Sequence, residues 1–258
     1  MKICVIGSGI SGLSVANMLN QTHDVVVYER HKQIGGIIKC TREEGNLFHR
    51  VGGHVFNSKN QHVLNWFWSF FKKEEFVSTI RKAKIFMYNQ YLGYPIENNL
   101  YKLPKAIVNK IIEELLEEQK TTNYTNFEAF LKGNFGNTLY ELYFKPYNEK
   151  IWNTSLAEIP LEWLEGKLPM PNIKEIILSN ILKEEETKMV HSSFYYPQQN
   201  GSQFIVDRLS EALNIVTNSE ITKIEKVSNG WLVNDSFFDC VIYTGDIRKL
   251  GTLMSNVS

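Results

Sequence analysis

The pattern of apolar and polar positions predicts a βαβ unit within the first thirty residues. Lys2 to Ile6 is a short apolar run rich in β-branched side chains, as in a buried parallel strand. The turn Gly7-Ser8-Gly9-Ile10-Ser11-Gly12 follows. Residues 11–20 then take helical spacing, with Leu13, Ala16 and Leu19 near one face, and Val25-Val26-Val27-Tyr28 predicts a second buried strand ending at Glu29-Arg30. Crossovers of this kind are nearly always right-handed and build parallel sheets.

The middle of the chain reads as helices. Residues 60–73 place Val63, Phe67, Phe70 and Phe71 on one face, and residues 105–120, opened by Pro104, carry a stripe of Ile107, Ile111, Ile112, Leu115 and Leu116. Residues 126–150 and 172–189 are also expected to be helical, with Glu184-Glu185-Glu186 on a solvated face, and Lys84 to Tyr88 is expected to be a strand. Ser202 to Leu213 predicts another helix. Strands follow at Ile215–Thr217, Glu220–Val227, Trp231–Val233 and Phe238–Tyr243, with Asn229-Gly230 as a hairpin turn. The fold class is therefore α/β: a Rossmann-like domain of parallel sheet and helices, residues 1–57 and 191–258, interrupted by a mainly helical domain over residues 58–190.

Composition narrows the functional classes. Of the 258 residues 43% are hydrophobic and 22% charged, which excludes a disordered chain or a disulfide scaffold. Twenty-eight basic residues balance 28 acidic ones, so no nucleic-acid partner is expected. Cys4, Cys40 and Cys240 stand far apart without a Cys-x-x-Cys pair, so no metal site is expected. No apolar stretch reaches membrane-spanning length and no signal peptide is visible, so the expected location is cytoplasmic. The aromatic share of 12% suits either a large core or a flat ligand.

The glycine turn carries the first chemistry. Between a strand and a helix, Gly7 makes the tight turn, Gly9 lets backbone approach a pyrophosphate, and Gly12 lets the helix pack close. Amides at the helix start, including that of Ser11, favour phosphate charge. Glu29, 22 residues after Gly7, is spaced to grip ribose hydroxyls. These features admit NAD or FAD.

Arg30-His31-Lys32-Gln33-Ile34-Gly35-Gly36 continues the pattern. Glu-Arg-x₄-Gly-Gly resembles the start of FAD-binding flavoproteins that include amine oxidases, protoporphyrinogen oxidases and UDP-galactopyranose mutases. The resemblance implies FAD, with Glu29 on the adenosine ribose and Arg30, Gly35 and Gly36 along the cofactor path. Gly52-Gly53-His54-Val55-Phe56 resembles a mutase segment whose His lies against the flavin, which makes His54 the candidate catalytic residue beside Gly52 and Gly53. Phe144-Lys145-Pro146-Tyr147, with Trp152 five residues on, resembles the mutase segment that holds the nucleotide and shapes the sugar pocket. Phe194-Tyr195-Tyr196-Pro197 with Gly201, the backbone around Ile221, and Val241 to Gly245 resemble later cofactor-contacting segments, placing Ile221, Thr244 and Gly245 near FAD.

Two features depart from that family. Lys167 stands where mutases use a loop arginine on the diphosphate, and the family continues well past the Tyr-Thr-Gly strand end, so a C-terminal truncation is expected. The resemblance implies pyranose–furanose isomerisation of a nucleotide sugar for cell-surface polysaccharide biosynthesis. The alternatives are an FAD-dependent oxidoreductase of the amine oxidase or protoporphyrinogen oxidase kind, acting on another small molecule, and an inactive FAD-binding fragment.

Overall fold

The computed structural model describes residues 1–117, 123–164, 172–183 and 193–255. The chain opens with β1 (Lys2–Ile6), α1 (Ile10–Leu19) and β2 (Asp24–Tyr28). A hairpin of β3 (Cys40–Glu43) and β4 (Asn46–His49), helix α2 (Gln61–Trp68) and β5 (Phe76–Ile80) come next. The hairpin β6 (Lys84–Met87) and β7 (Gln90–Gly93) precedes the helices α3 (Lys105–Leu116), α4 (Phe127–Leu139), α5 (Lys145–Trp152) and α6 (Ile173–Leu182). The return runs through β8 (Ser193–Pro197), α7 (Gln203–Ser210), β9 (Asn214–Val216), β10 (Ile224–Val227), β11 (Gly230–Val233), β12 (Ser236–Phe238), β13 (Cys240–Tyr243) and α8 (Ile247–Leu253). Two compact units result: Met1–Thr79 with Ser193–Ser258, and Ile80–Ser192.

The first unit is built on a parallel sheet in the order β13-β1-β2-β9, so the α/β class and its Rossmann-like sheet are present. β1 is central, which explains its unbroken apolar run: Cys4 and Val5 are fully buried between layers. Burial pushes the Cys4 thiol up to about 12, so it packs as a small apolar group. Leu13 on α1 packs with Val206 and Leu209 of α7. Strands β10, β11 and β12 form an antiparallel sheet whose inward residues, Ile224, Val233 and Phe238, join Cys4, Ile6 and Val26 in one cluster.

The single strand expected over Phe238–Tyr243 is two strands meeting at a corner. Phe238 ends β12, and Cys240 starts β13 beside β1. Asp239 makes the corner: its amide donates to the Lys2 carbonyl at 2.9 Å, and its carboxylate accepts from the Lys2 amide at 2.6 Å. The expected strand over Glu220–Val227 begins only at Ile224, because the Asn234 side chain accepts from the Thr222 and Lys223 amides and draws that segment into a loop. The helix expected over 202–213 is shorter, spanning Gln203–Ser210.

The second unit has its own core, with Leu92, Ile111, Leu131, Leu139, Tyr140 and Leu156 among its most buried members. Full burial of each such aliphatic side chain contributes about 1.5–3 kcal/mol. The stripe Ile107, Ile111 and Leu115 of α3 faces this core as its spacing requires. α3 stops at Leu116, where Glu117 turns extended. The expected helix over 126–150 is broken. Gly136 takes φ +79°, and residues Tyr140–Phe144 form a wider π-turn before α5. Glu114 of α3 caps the restart, accepting from the Thr138 amide at 2.7 Å and the Thr138 hydroxyl at 2.6 Å. The acidic run Glu184-Glu185-Glu186 lies outside the described residues.

Candidate dinucleotide site

In the first unit the glycine turn joins β1 to α1. Gly7 has φ +107°, and its amide donates to the Tyr28 carbonyl at 2.8 Å, tying the end of β1 to the end of β2. A Cβ on Gly12 would stand 1.9 Å from the Gly7 carbonyl oxygen, so only glycine fits. Thr244, at the end of β13, locks the turn from the other side. Its amide donates to the Ile6 carbonyl at 2.9 Å, and its hydroxyl lies 3.0 Å and 3.2 Å from the Ile6 and Gly7 carbonyls. The neighbouring Gly245 has its face against the Tyr243 ring, where a Cβ would come within 2.8 Å.

Gly35 and Gly36 come to the same place. The Gly35 amide donates to the Ser8 carbonyl at 3.0 Å, and a Cβ on Gly36 would reach 2.9 Å from the Gly9 Cα. A Cβ on Gly9 would meet nothing nearer than the Gly36 Cα at 3.8 Å, so one side of this backbone pair stays open. Gly9 caps α1 without a side-chain bond, leaving the first-turn amides, including that of the exposed Ser11, without an intrahelical partner. Bare backbone beside a helix N-terminus is the chemistry that receives a pyrophosphate.

Glu29 is 7% exposed at the end of β2. Its Oε2 accepts from the Ser8 hydroxyl at 2.6 Å and the Ser8 amide at 3.2 Å, and its Oε1 accepts from the His31 amide at 2.9 Å. Burial acts to raise its pKa, but the Ser8 hydroxyl and the two amides outweigh it and hold the carboxyl below the ordinary value of 4.5. A carboxylate offers about four acceptor positions, so capacity remains for a hydroxyl. Ser8, fully buried, was missed in the sequence reading because nothing local shows that its hydroxyl turns toward a residue 21 positions away. Arg30 is exposed and donates to the His31 ring at 3.1 Å.

A folded-state pKa held below the unfolded value stabilises the fold above pH ~4.5 and ceases to do so as acid protonates the carboxyl. Glu29→Gln is therefore expected to flatten the acid side of the stability curve below that pH. Denaturant unfolding at a series of pH values checks this, and parallel acid limbs for the two proteins would refute it.

Gly52 and Gly53 are exposed, with nothing near the Cβ positions they lack. The half-buried His54 follows, and its Nε2 is inaccessible to solvent and has no hydrogen-bond partner among the described residues. Two residues on, Phe56 exchanges backbone hydrogen bonds with Tyr195 at 2.9 Å and 2.8 Å, which fixes this segment to β8. The Phe56 ring stacks on Phe67 at 3.6 Å. Ile221 is buried beside Cys4 and Ile6, just before β10 and outside any strand. Gly7, Gly9, Gly12, Glu29, Gly35, Gly36 and Thr244 thus converge on one turn. A buried imidazole nitrogen without a partner, and a glycine pair open on one side, both fit a large dinucleotide cofactor.

The residues expected on the substrate side lie in the second unit. Phe144 ends the π-turn with its ring 4.6 Å from Phe135, on the edge of the core. Tyr147 is 42% exposed on α5 and stacks on the buried Tyr143 at 5.2 Å and 15°. Trp152 ends α5 before Asn153 in a left-handed conformation. Five helical residues turn Trp152 about 140° from Tyr147, so the two do not share a helix face. Lys167 lies outside the described residues. Among the described residues no cluster of His, Cys, Asp or Glu could hold a metal ion, and no helix is long and apolar enough to cross a membrane.

Comparison with known proteins agrees with this geometry. Residues 5–72 match the model of the NAD(P)-binding Rossmann-like domain. The UDP-galactopyranose mutase of Mycoplasma genitalium is 29% identical over 177 residues, 61% of this chain and 41% of that protein. The dTDP-fucopyranose mutase of Escherichia coli is 28% identical over 66% of this chain and 46% of its own length. The chain thus spans less than half the length of these relatives. Among solved structures, a reduced UDP-galactopyranose mutase superposes with a TM-score of 0.88 at 22% identity, covering 100% of this chain and 58% of that one. A protoporphyrinogen oxidase-like protein from Exiguobacterium gives 0.69 at 15% identity, covering 98% of this chain and 61% of that one. At these identities the structural likeness shows a shared fold.

Proposed function

We propose, on the premise that this chain is a distant homologue of the UDP-galactopyranose mutases and of the wider amine oxidase and protoporphyrinogen oxidase group, that it binds FAD and isomerises a nucleotide sugar between pyranose and furanose forms. The observation that carries the cofactor reading is the glycine cradle: Gly12 pressed on the Gly7 carbonyl, and Gly36 pressed on Gly9, at a helix start.

Each residue has a task in this reading. The amides from Gly9 to Ser11 take the pyrophosphate, and Gly35 and Gly36 let it approach the backbone. Glu29 accepts from the adenosine ribose with its remaining lone pairs, held ionised and oriented by Ser8. Arg30 lies beside this path, and Ile221, just before β10, and Thr244 and Gly245, just after β13, border it from the returning chain. His54, carried by the side-chain-free Gly52-Gly53 segment, offers the partnerless Nε2 to the ring system. When bound and reduced, flavin would supply a nucleophilic ring nitrogen for the anomeric carbon of the sugar, from which the nucleotide diphosphate would depart. In the second unit Tyr147 and Trp152 offer ring faces to the nucleotide, Tyr143 supports Tyr147 and is itself packed by Phe144, and Lys167 adds a charge.

The test is direct. The purified chain should be yellow or take up FAD on reconstitution, and Glu29→Ala should weaken FAD at least about tenfold through the lost charge-assisted bonds. UDP should then perturb the spectrum of the reduced flavoprotein. A colourless protein that cannot be reconstituted would overturn the cofactor reading. A flavoprotein blind to UDP that passes electrons to an acceptor would move the function to the oxidoreductases.

A further inference from the structure

Among the described residues, the second unit holds a cation that no ion pair absorbs. Arg81 is exposed, just before β6, with its guanidinium carbon 5.2 Å from the centre of the Tyr94 ring. Among the described residues no carboxylate lies within ion-pair distance of it. A cation held against a ring face is oriented while its N–H donors remain available.

Around it stand three phenols. Tyr94 is half-buried, Tyr143 is buried, and Tyr147 stacks on Tyr143 with its outer face in solvent. Burial raises the pKa of Tyr94 and Tyr143, the Tyr147 phenol and the Glu97 carboxylate raise them further, and Arg81 partly opposes this. Both phenols therefore stay protonated near neutrality, and they are available as neutral donors with no charge to repel an anion. The Glu97 carboxylate acts on both phenols, and the Arg81 guanidinium opposes it.

One fork-shaped cation and a neutral phenol beside stacked rings suit a phosphate ester attached to a flat group. We infer that Arg81 is the phosphate-gripping residue of the second unit, its guanidinium taking the diphosphate of the nucleotide with the Tyr94 hydroxyl as co-donor. This assignment rests on the nucleotide-sugar reading above and adds a residue to it.

Calorimetric titration of the 258-residue chain with UDP, uridine and inorganic pyrophosphate tests it, on wild type, Arg81→Gln and Arg81→Lys. Charge-assisted hydrogen bonds of this kind predict a loss of UDP affinity of about 10- to 100-fold in Arg81→Gln. Uridine affinity should stay within about twofold, since the base and ribose lack the charge that Arg81 meets. Arg81→Lys should recover only part of the loss, because an ammonium lacks the fork. Arg81 is exposed, so thermal unfolding should be unchanged in both variants and a folding defect is distinguishable. If UDP binds wild type and Arg81→Gln alike, or uridine weakens in step with UDP, the Arg81 assignment falls while the nucleotide-sugar reading stands. If pyrophosphate binds in an Arg81-dependent way but UDP and uridine show no common site, the subsite stands and the nucleotide-sugar reading falls. If none of the three binds wild type, both fall.

Discussion

Alanine in place of Gly12 is expected to destabilise the first unit by at least about 3 kcal/mol and to abolish cofactor binding. The added Cβ would lie 1.9 Å from the Gly7 carbonyl oxygen and 2.9 Å from the Thr244 hydroxyl. The first obstacle is backbone, which cannot swing aside as a side chain end can. Relief requires α1 to move away from β1, which opens the layer holding Leu13 and Ala16. Domains of this size are stable by about 5–15 kcal/mol, so the loss is a large fraction of the total. Gly251→Ala supplies the control. That glycine lies in α8, its Cβ would meet nothing within 4 Å, and the change should be neutral or stabilising by up to about 1 kcal/mol. Chemical denaturation of both variants gives the answer, and equal stabilities would refute the close-approach account.

Glu114→Ala is expected to destabilise the second unit by about 2–3 kcal/mol, the range for hydrogen bonds to a charged acceptor. Both carboxylate oxygens are committed to Thr138, one to its amide and one to its hydroxyl. Removing them leaves the restarted helix uncapped just where Gly136 has interrupted it. Glu114→Gln keeps one acceptor and should lose about half as much. The consequence reaches further than stability, because Tyr140–Phe144 and α5 follow directly and carry Tyr143, Phe144 and Tyr147. Under the proposed nucleotide-sugar reading, UDP affinity should therefore drop in Glu114→Ala without any ligand contact by Glu114. Unchanged unfolding midpoints for both variants would sink this account.

Residue by residue, legibility followed how local each cause is. β1, β2 and the Gly7–Gly12 turn were readable because a buried strand, a glycine and a helical stripe are each visible within a few positions. The hairpin Cys40–His49 was not: its strands alternate weakly, and its tip, Glu44-Gly45, takes left-handed backbone without an Asn-Gly or Asp-Gly signal. The break at Gly136 was hidden because the cap that rewards it comes from Glu114, 24 residues upstream of Thr138. The corner at Asp239 was hidden inside an apolar run, since periodicity cannot show that Phe238 and Cys240 pair with different sheets. At the candidate site the glycines were foreseeable, whereas the Ser8 grip on Glu29 and the Thr244 lock on Gly7 are long-range facts of the fold.

That Thr244 lock has a consequence for timing. Its hydroxyl bonds the Ile6 and Gly7 carbonyls across 238 and 237 positions of chain, and β13 completes the sheet on the open side of β1. A ribosome adding about 5–20 residues per second leaves β1 without this neighbour for some ten to fifty seconds. During that interval the first apolar strand has one unpaired edge, the condition in which nascent chains recruit chaperones or one another. The glycine turn, although written in the first dozen residues, is locked only when Thr244 arrives.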